Sequence, residues 1–329
     1  MSTRIEWTNE TWNPTRGCTK VSAGCVNCYA MRQAHRFSGP GQPYEGLTHV
    51  VPGRGPQWTG EVRPVPEALD LPLRWRKPRQ VFVDSMSDLF HPDVPFCFVD
   101  RVFGVMATCP HHTFQVLTKR PERMAEYLSD PMRQRMVRRE VDRVIDTCGR
   151  PTHESAGADP WPLPNVWLGT SCENQAAADE RIPHLLRCSA AMRFLSCEPL
   201  LGPVDLSKCV LPRYLEGHCA TRGVHWVIAG GESGPGARPC DVAWLRSLRD
   251  QCAAAEVPYF LKQLGARPFT RQPEVFGRGR SEDRTSGGWW HELRDPKGGD
   301  PAEWPEDLRM REFPRPAEAQ RIPPSNPTD

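Results

Sequence analysis

Residues 80–120, QVFVDSMSDLFHPDVPFCFVDRVFGVMATCPHHTFQVLTKR, hold two short, almost wholly apolar runs separated by an amphipathic segment. QVFVDS (80–85) and TFQVLT (113–118) are rich in the β-branched and aromatic residues of strands, and PFCFVDRVFGVMAT (95–108) has helical spacing between them. A strand that is apolar on both faces, followed by a helix and a second such strand, reads as a parallel β–α–β unit whose sheet is covered. The same order recurs outward. NVWLGTS (165–171), MRFLSC (192–197), VHWVIAG (224–230) and PYFLKQ (258–263) continue the strands, and residues 121–147, 174–188 and 241–256 read as helices. The last helix carries Val242, Leu245, Leu248 and Cys252 on one face, with Asp241 as its N-cap, while Pro183 is expected to bend or restart the 174–188 helix.

With IEW (5–7) as first strand, seven strands are expected, in an α/β fold built as a complete or partial (β/α) barrel of the TIM type. An open doubly wound sheet is the alternative. Residues 1–265 would form the barrel, interrupted by a Pro- and Gly-rich insertion over about 38–66 that passes over the site. Residues 266–329 read as a Gly-, Pro- and charge-rich extension, wrapped around the barrel or partly disordered, with short apolar elements at Trp289, Trp290 and Trp304.

A formal net charge of +2 over 329 residues demands neither a nucleic-acid nor a membrane partner, though 42 Lys and Arg leave room for a local basic groove. No stretch has the roughly 18 consecutive apolar residues of a membrane span, and the start, MSTRIEWTNE, lacks the apolar region of a signal peptide. A cytoplasmic protein is expected. Thirteen cysteines, an odd number scattered along the chain, argue for reduced thiols rather than a disulfide framework. Cys97, Cys109, Cys148, Cys188, Cys209, Cys219, Cys240 and Cys252 read as packing residues, as do Cys172 and Cys197 at strand ends.

Polar and small groups follow every strand: MSDLFH, KRPE, CEN, EPLLG, GESGPG and LGA. In parallel barrels and doubly wound sheets alike, ligands bind at that edge. Acids just past a strand, Asp88, Glu173, Glu198 and Glu232, are more than helix capping requires, and Lys119 with Arg120 points to a zwitterionic or anionic ligand. Glu198, Glu232 and Lys262 are the candidate catalytic residues on the substrate half of this rim.

GCTKVSAGCVNCYAMR (17–32) brings Cys18, Cys25 and Cys28 to the same rim. Structural zinc normally takes four protein ligands, and only one two-cysteine knuckle plus a single cysteine is present. His35 lies two turns further along an expected helix. Three closely spaced thiolates instead suit a [4Fe–4S] cluster with one iron left open for a small chelating molecule, with Gly17 and Gly24 letting the backbone wrap it and donate N–H groups.

This arrangement resembles the radical S-adenosylmethionine superfamily, and CVNCYA is similar to the second-and-third-cysteine half of its motif. The spacing departs from the family's commonest, with six residues between the first two cysteines, and Asn27 stands where an aromatic is usual. More narrowly, IEWTNETWNPTRGCTKVSAGCVNCYA, FVDSMSDLFH, FQVLTKRPERM, FLSCEPLLGPVD and VIAGGESGPGARPCD, with the shorter segments between and beyond them, resemble a phage-associated uncharacterised family named after phage gene products thirty-seven and sixty-eight.

The superfamily resemblance implies a cluster on Cys18, Cys25 and Cys28 that binds S-adenosylmethionine and, on receiving one electron, yields a 5′-deoxyadenosyl radical. A flavodoxin- or ferredoxin-like donor would supply the electron. The family's Gly-Gly-Glu after the second strand is replaced by SMSDLF, so Ser85, Ser87 and Asp88 take the methionine amino group by position. Lys119 or Arg120 would pair with the carboxylate, Ser171 and Glu173 would bind ribose hydroxyls, and Tyr29 would lie over cofactor or cluster. Nucleic acid or a nucleotide is the leading substrate class. A zinc-stabilised, non-catalytic nucleic-acid-binding protein is the alternative.

Overall fold

A computed structural model describes residue 3 and residues 5–148, 161–209 and 223–314. Seven parallel strands form one sheet: β1 (Glu10–Trp12), β2 (Gln80–Val83), β3 (Thr113–Thr118), β4 (Val166–Ser171), β5 (Met192–Cys197), β6 (Trp226–Gly230) and β7 (Tyr259–Gln263). Their order in space is their order in sequence. A doubly wound sheet reverses its strand order at a switch point, and this one never does, so that alternative is set aside. Every crossover advances the same way, which curls the sheet into a half-barrel. Among the described residues β1 and β7 are its two edges and do not pair with each other, so no complete barrel is closed.

The first strand is Glu10–Trp12, pairing with β2, and not Ile5–Trp7. Trp7 is instead a plug: its ring packs on Phe82, Phe194 and Trp226. Ile5 and Trp7 flank the exposed Glu6, so the triplet alternates as a short half-buried strand does. The other six strands and the main helices fall within two residues of their expected ranges. The helices are α1 (Tyr29–His35), α2 (Phe96–Ala107), α3 (Pro121–Ser129), α4 (Pro131–Cys148), α5 (Gln175–Arg187) and α6 (Val242–Ala254). The helical segments PERMAEYL and MRQRMVRREVDRVIDT expected within 121–147 are separate helices that part at Asp130, because the residue ahead of Pro131 is pushed out of helical conformation. Pro183 does not interrupt α5. Asp241 caps α6 as expected, accepting the Ala243 N–H.

Alternation along the strands separates two cores. Val81, Val116, Leu168, Leu195, Val227 and Leu261 join the helix side chains in the larger one. Phe82, Trp167, Phe194, Trp226, Ile228 and Phe260 point to the concave side and pack with Trp7. Gly169 makes room there, since a Cβ would stand 2.5 Å from the Phe194 ring. Aromatic rings thus fill one end of the half-barrel, leaving the strand C-terminal ends as its open end.

Of the eight cysteines read as packing residues together, Cys109, Cys188, Cys209, Cys240 and Cys252 are buried, but Cys97 is exposed on α2. Cys219 and the Cys148 side chain lie outside the described residues. Cys172 and Cys197 are fully buried. The insertion forms a hairpin, Thr48–Val51 with Gly55–Trp58, and a strand, Arg63–Pro64, paired with Thr15–Arg16. Beyond β7, Pro268–Thr270, Gly279–Asp283 and Gly288–Glu292 join Cys240–Asp241 in a second sheet, and Trp304 is buried. Phe313 then packs on Phe260 and Trp226, so the extension seals the aromatic end; its last residues, 315–329, lie outside the described set. No described helix is long and apolar enough to cross a membrane.

Phe194 is fully buried between Trp7 and Trp226. Phe194→Ala should lower unfolding free energy by about 3–5 kcal/mol, while truncating the exposed Val50 should change it by less than about 0.5 kcal/mol, both read from denaturant titrations.

Candidate functional site

A cavity of about 1060 Å³ opens at the C-terminal ends of the strands, and Cys18, Cys25 and Cys28 all line it. Its floor is the top of the aromatic plug, including Trp7, Phe82 and Leu117. Each of the three thiols is partly exposed and free. Burial, with the nearby Asp88 charge, pushes the Cys18 thiol up to about 12 against the opposing pull of Arg120. Burial likewise raises Cys28, which Lys119 partly offsets. In the absence of a bound cation these two thiols are therefore held neutral.

The loop carrying the thiols is pinned from the ends of four strands. After β2, His91 Nδ1 accepts the Asp93 N–H, which leaves the Nε2 proton to be donated to Thr19 Oγ1 at 2.7 Å. After β3, Arg120 donates to the Thr19 carbonyl at 3.0 Å and to Thr19 Oγ1 at 2.8 Å. After β4, Glu173 accepts the Gly24 N–H at 3.2 Å. After β6, Glu232 accepts from Asn27 at 2.9 Å, and its partner Arg238 donates to the Ala23 carbonyl at 2.9 Å. Gly17 sits at φ +87°, where a side chain would run into the Glu61 carbonyl of the insertion.

These contacts reassign several expected ligand-binding residues. Glu173 does not line the cavity; it is buried behind the cysteine loop in an ion pair with Arg181 at 2.9 Å. Burial opposes its ionisation, but the Ser22 hydrogen bond and the Arg181 charge outweigh it and hold the carboxyl below its usual range. Glu232 is similar: burial raises its pKa, while Arg238 and Asn27 bring it below normal. Asp88 lines the cavity but is saturated, accepting from Thr118, the Phe90 N–H, Lys119 N–H and Arg120. Gly24 gives its N–H to Glu173, so it has none left for a cluster sulfur. An acid after a strand is legible in sequence; which partner claims it is decided by residues far along the chain.

Other expected residues face the cavity with less committed groups. Lys119 donates to Ser171 Oγ at 3.1 Å, Tyr29 donates to the Ser85 carbonyl at 2.6 Å, and Ser87 bonds Asp84 and Thr15. On the opposite wall Lys262 pairs with Glu198 at 2.7 Å, and Gln263 also reaches Glu198. His35 is turned away, to Thr48 and Ser38, and supplies no fourth ligand. Among the described residues no group of three His, Cys, Asp or Glu side chains converges to hold a single metal ion.

Sequence reading missed Asp84. It ends β2 at φ 57°, a conformation Asp tolerates, and lies 2% exposed at the cavity wall. Oδ1 accepts from Thr15 N–H and Ser87, but Oδ2 is buried without a partner. Burial raises its pKa to about 7, over the opposing hydrogen bonds from Ser87 and Thr15.

A carboxyl raised in the folded state binds its proton more tightly there than in the unfolded chain. Its stabilising share is full below about pH 4 and is lost as pH rises to about 7. Asp84→Asn should therefore flatten the urea-midpoint profile between these values, gaining relative to wild type as pH rises. Glu173→Ala leaves Arg181 buried without its carboxylate and should cost about 3–5 kcal/mol of unfolding free energy by denaturant titration.

No curated protein and no solved structure matches the chain. A family profile described as "Protein of unknown function" (DUF5131) matches residues 2–293, nearly nine-tenths of the 329 residues. The chain belongs to that family.

Proposed function

We propose that the protein is a radical S-adenosylmethionine enzyme of the cytoplasm, with Cys18, Cys25 and Cys28 holding a [4Fe–4S] cluster. The supporting observation is that three partly exposed thiols, carried on one loop pinned from four strand ends, share a cavity at the open end of a parallel half-barrel. Ligands of a cubane bind different irons and need not converge on one point, whereas structural zinc requires that convergence. The donor set therefore suits a cluster better than a single zinc ion. When bound, the cluster supplies one-electron reductive cleavage of S-adenosylmethionine, with the electron from a flavodoxin- or ferredoxin-like partner.

The chain's own residues hold and shield the reactants. Lys119, steadied by Ser171, offers a cation to the methionine carboxylate, and Ser85 with the half-exposed Tyr29 lines the adjoining wall. Arg120 and Asp88 act one step back, fixing the loop on which Cys18 stands. Glu198 and Lys262, paired at 2.7 Å across the far wall, are left to bind and orient the substrate. The aromatic floor keeps bulk water from entering behind the reactants.

Reconstituted anaerobically with iron and sulfide, the full chain should turn brown, bind roughly four irons and, given dithionite, convert S-adenosylmethionine to methionine and 5′-deoxyadenosine. Cys25→Ala should lose cleavage, and Cys97→Ala should keep it. Colourless protein carrying one zinc would instead favour a binding module without catalysis.

A further inference from the structure

The cavity's charges divide unevenly. Its wall carboxylates Asp88, Glu198 and Glu232 are each matched by a cation, Arg120, Lys262 and Arg238. Lys20, Arg32, Arg36, Lys119 and Lys297 also line it, and none has a carboxylate within 4 Å among the described residues. Arg32 has only long contacts to the Pro235 and Asn27 carbonyls, at 3.4 and 3.5 Å, and Arg36 one to Gln33 at 3.5 Å. Against these five cations stand Glu6 and the buried Asp84.

The arginines belong to a pattern. Tyr29, Arg32, Gln33, Arg36 and Phe37 follow helical spacing along and just past α1, and all five line the cavity. Ala30 and Ala34, on the other face, pack against Tyr44 and Leu47 of the insertion and against Met86 after β2. Tyr29 and Phe37 are 50% and 45% exposed, an unusual state for rings in a protein that buries most of its aromatics. The face thus presents a ring, two guanidiniums and a second ring, leading to Lys119 and the thiols.

We propose that this face binds a single strand of nucleic acid, with phosphates on Arg32 and Arg36, a base stacked on Phe37, and the neighbouring nucleotide entering the cavity toward Lys119. The assignment rests on the cavity being the reaction site proposed above. Unpaired cations at intervals along a groove match a phosphodiester backbone, and exposed rings between them match its bases. An acidic protein surface would satisfy the arginines but not cations that continue into a concave wall. A volume of about 1060 Å³ stands at the upper end of small-molecule sites. Chemistry on a base requires it to be out of the duplex stack, which a single strand already provides.

Fluorescence anisotropy with labelled DNA and RNA 12-mers tests this on the full chain, first without iron or S-adenosylmethionine. Either single strand should bind, with affinity falling as salt rises, and a duplex of the same sequence should bind at least about tenfold more weakly. Arg32→Ala with Arg36→Ala should reduce the log–log salt slope by about 1.4. Phe37→Ala should weaken binding about tenfold while leaving that slope unchanged. No binding by either strand, equal binding of duplex, or equal competition by polyglutamate would each overturn the proposal. Strand binding by protein that assembles no cluster would sink the radical reading alone, and S-adenosylmethionine cleavage without strand binding would sink this one alone.

Discussion

Everything at the open end of this protein depends on how a short loop with three cysteines is held across it. Such a segment, rich in glycine and small residues, has no core of its own and would sample many conformations if tied only at its ends. Here it is fastened by side chains from the ends of β2, β3, β4 and β6. Those strands are fixed relative to one another by the sheet, so the loop inherits the sheet's rigidity. Two of the fasteners, Glu173 with Arg181 and Glu232 with Arg238, are ion pairs whose carboxylates are buried. The geometry of charged groups is worth more than their net energy in such pairs, because desolvation consumes much of the attraction.

The aromatic plug is the second half of the same arrangement. A sheet that curls without closing exposes a concave face, and apolar side chains there need something to pack on. Trp7 from before β1 and Phe313 from beyond β7 supply it from opposite ends of the described chain. The edge strand β7 is covered too, since Leu261 N–H bonds Met310 and Glu312 N–H bonds Tyr259. Filling one end leaves the other open, and there the polar strand ends gather.

Six of seven strands were legible because a covered parallel strand is apolar on both faces and its connecting helix is amphipathic, two signals that reinforce each other in QVFVDS, TFQVLT and MRFLSC. Ile5–Trp7 misled because an apolar, charged, apolar triplet has the alternation of a short strand, while ETW, the real β1, alternates only in its burial and over the same short length. The candidate site was legible to the same depth. Sequence order brought Cys18, Lys119, Ser171, Glu198 and Lys262 to one cavity, since strand ends must converge. It had no means to know that Glu173 would meet Arg181 or that Asp88 would be claimed by Arg120, since those pairings depend on side-chain reach across the barrel mouth. Asp84 was missed for a related reason: a polar residue after a strand reads as a turn, and only the fold reveals an oxygen left without a partner.

Charge at this cavity is therefore of two kinds, distinguished by partner rather than by residue type. The acids matched to arginine, Asp88, Glu173 and Glu232, fix the shape of the wall, and adding a ligand to them would require breaking a contact already made. Lys119, Arg32 and Arg36 make only weak or neutral contacts, so a ligand's anionic group gains their charge at little cost to the fold. The thiols stand between the two kinds. Burial raises the pKa of both Cys18 and Cys28, so a cation bound there would have to displace protons. A site built this way keeps its scaffold intact while its ligands come and go, because the groups that bind are not the groups that hold.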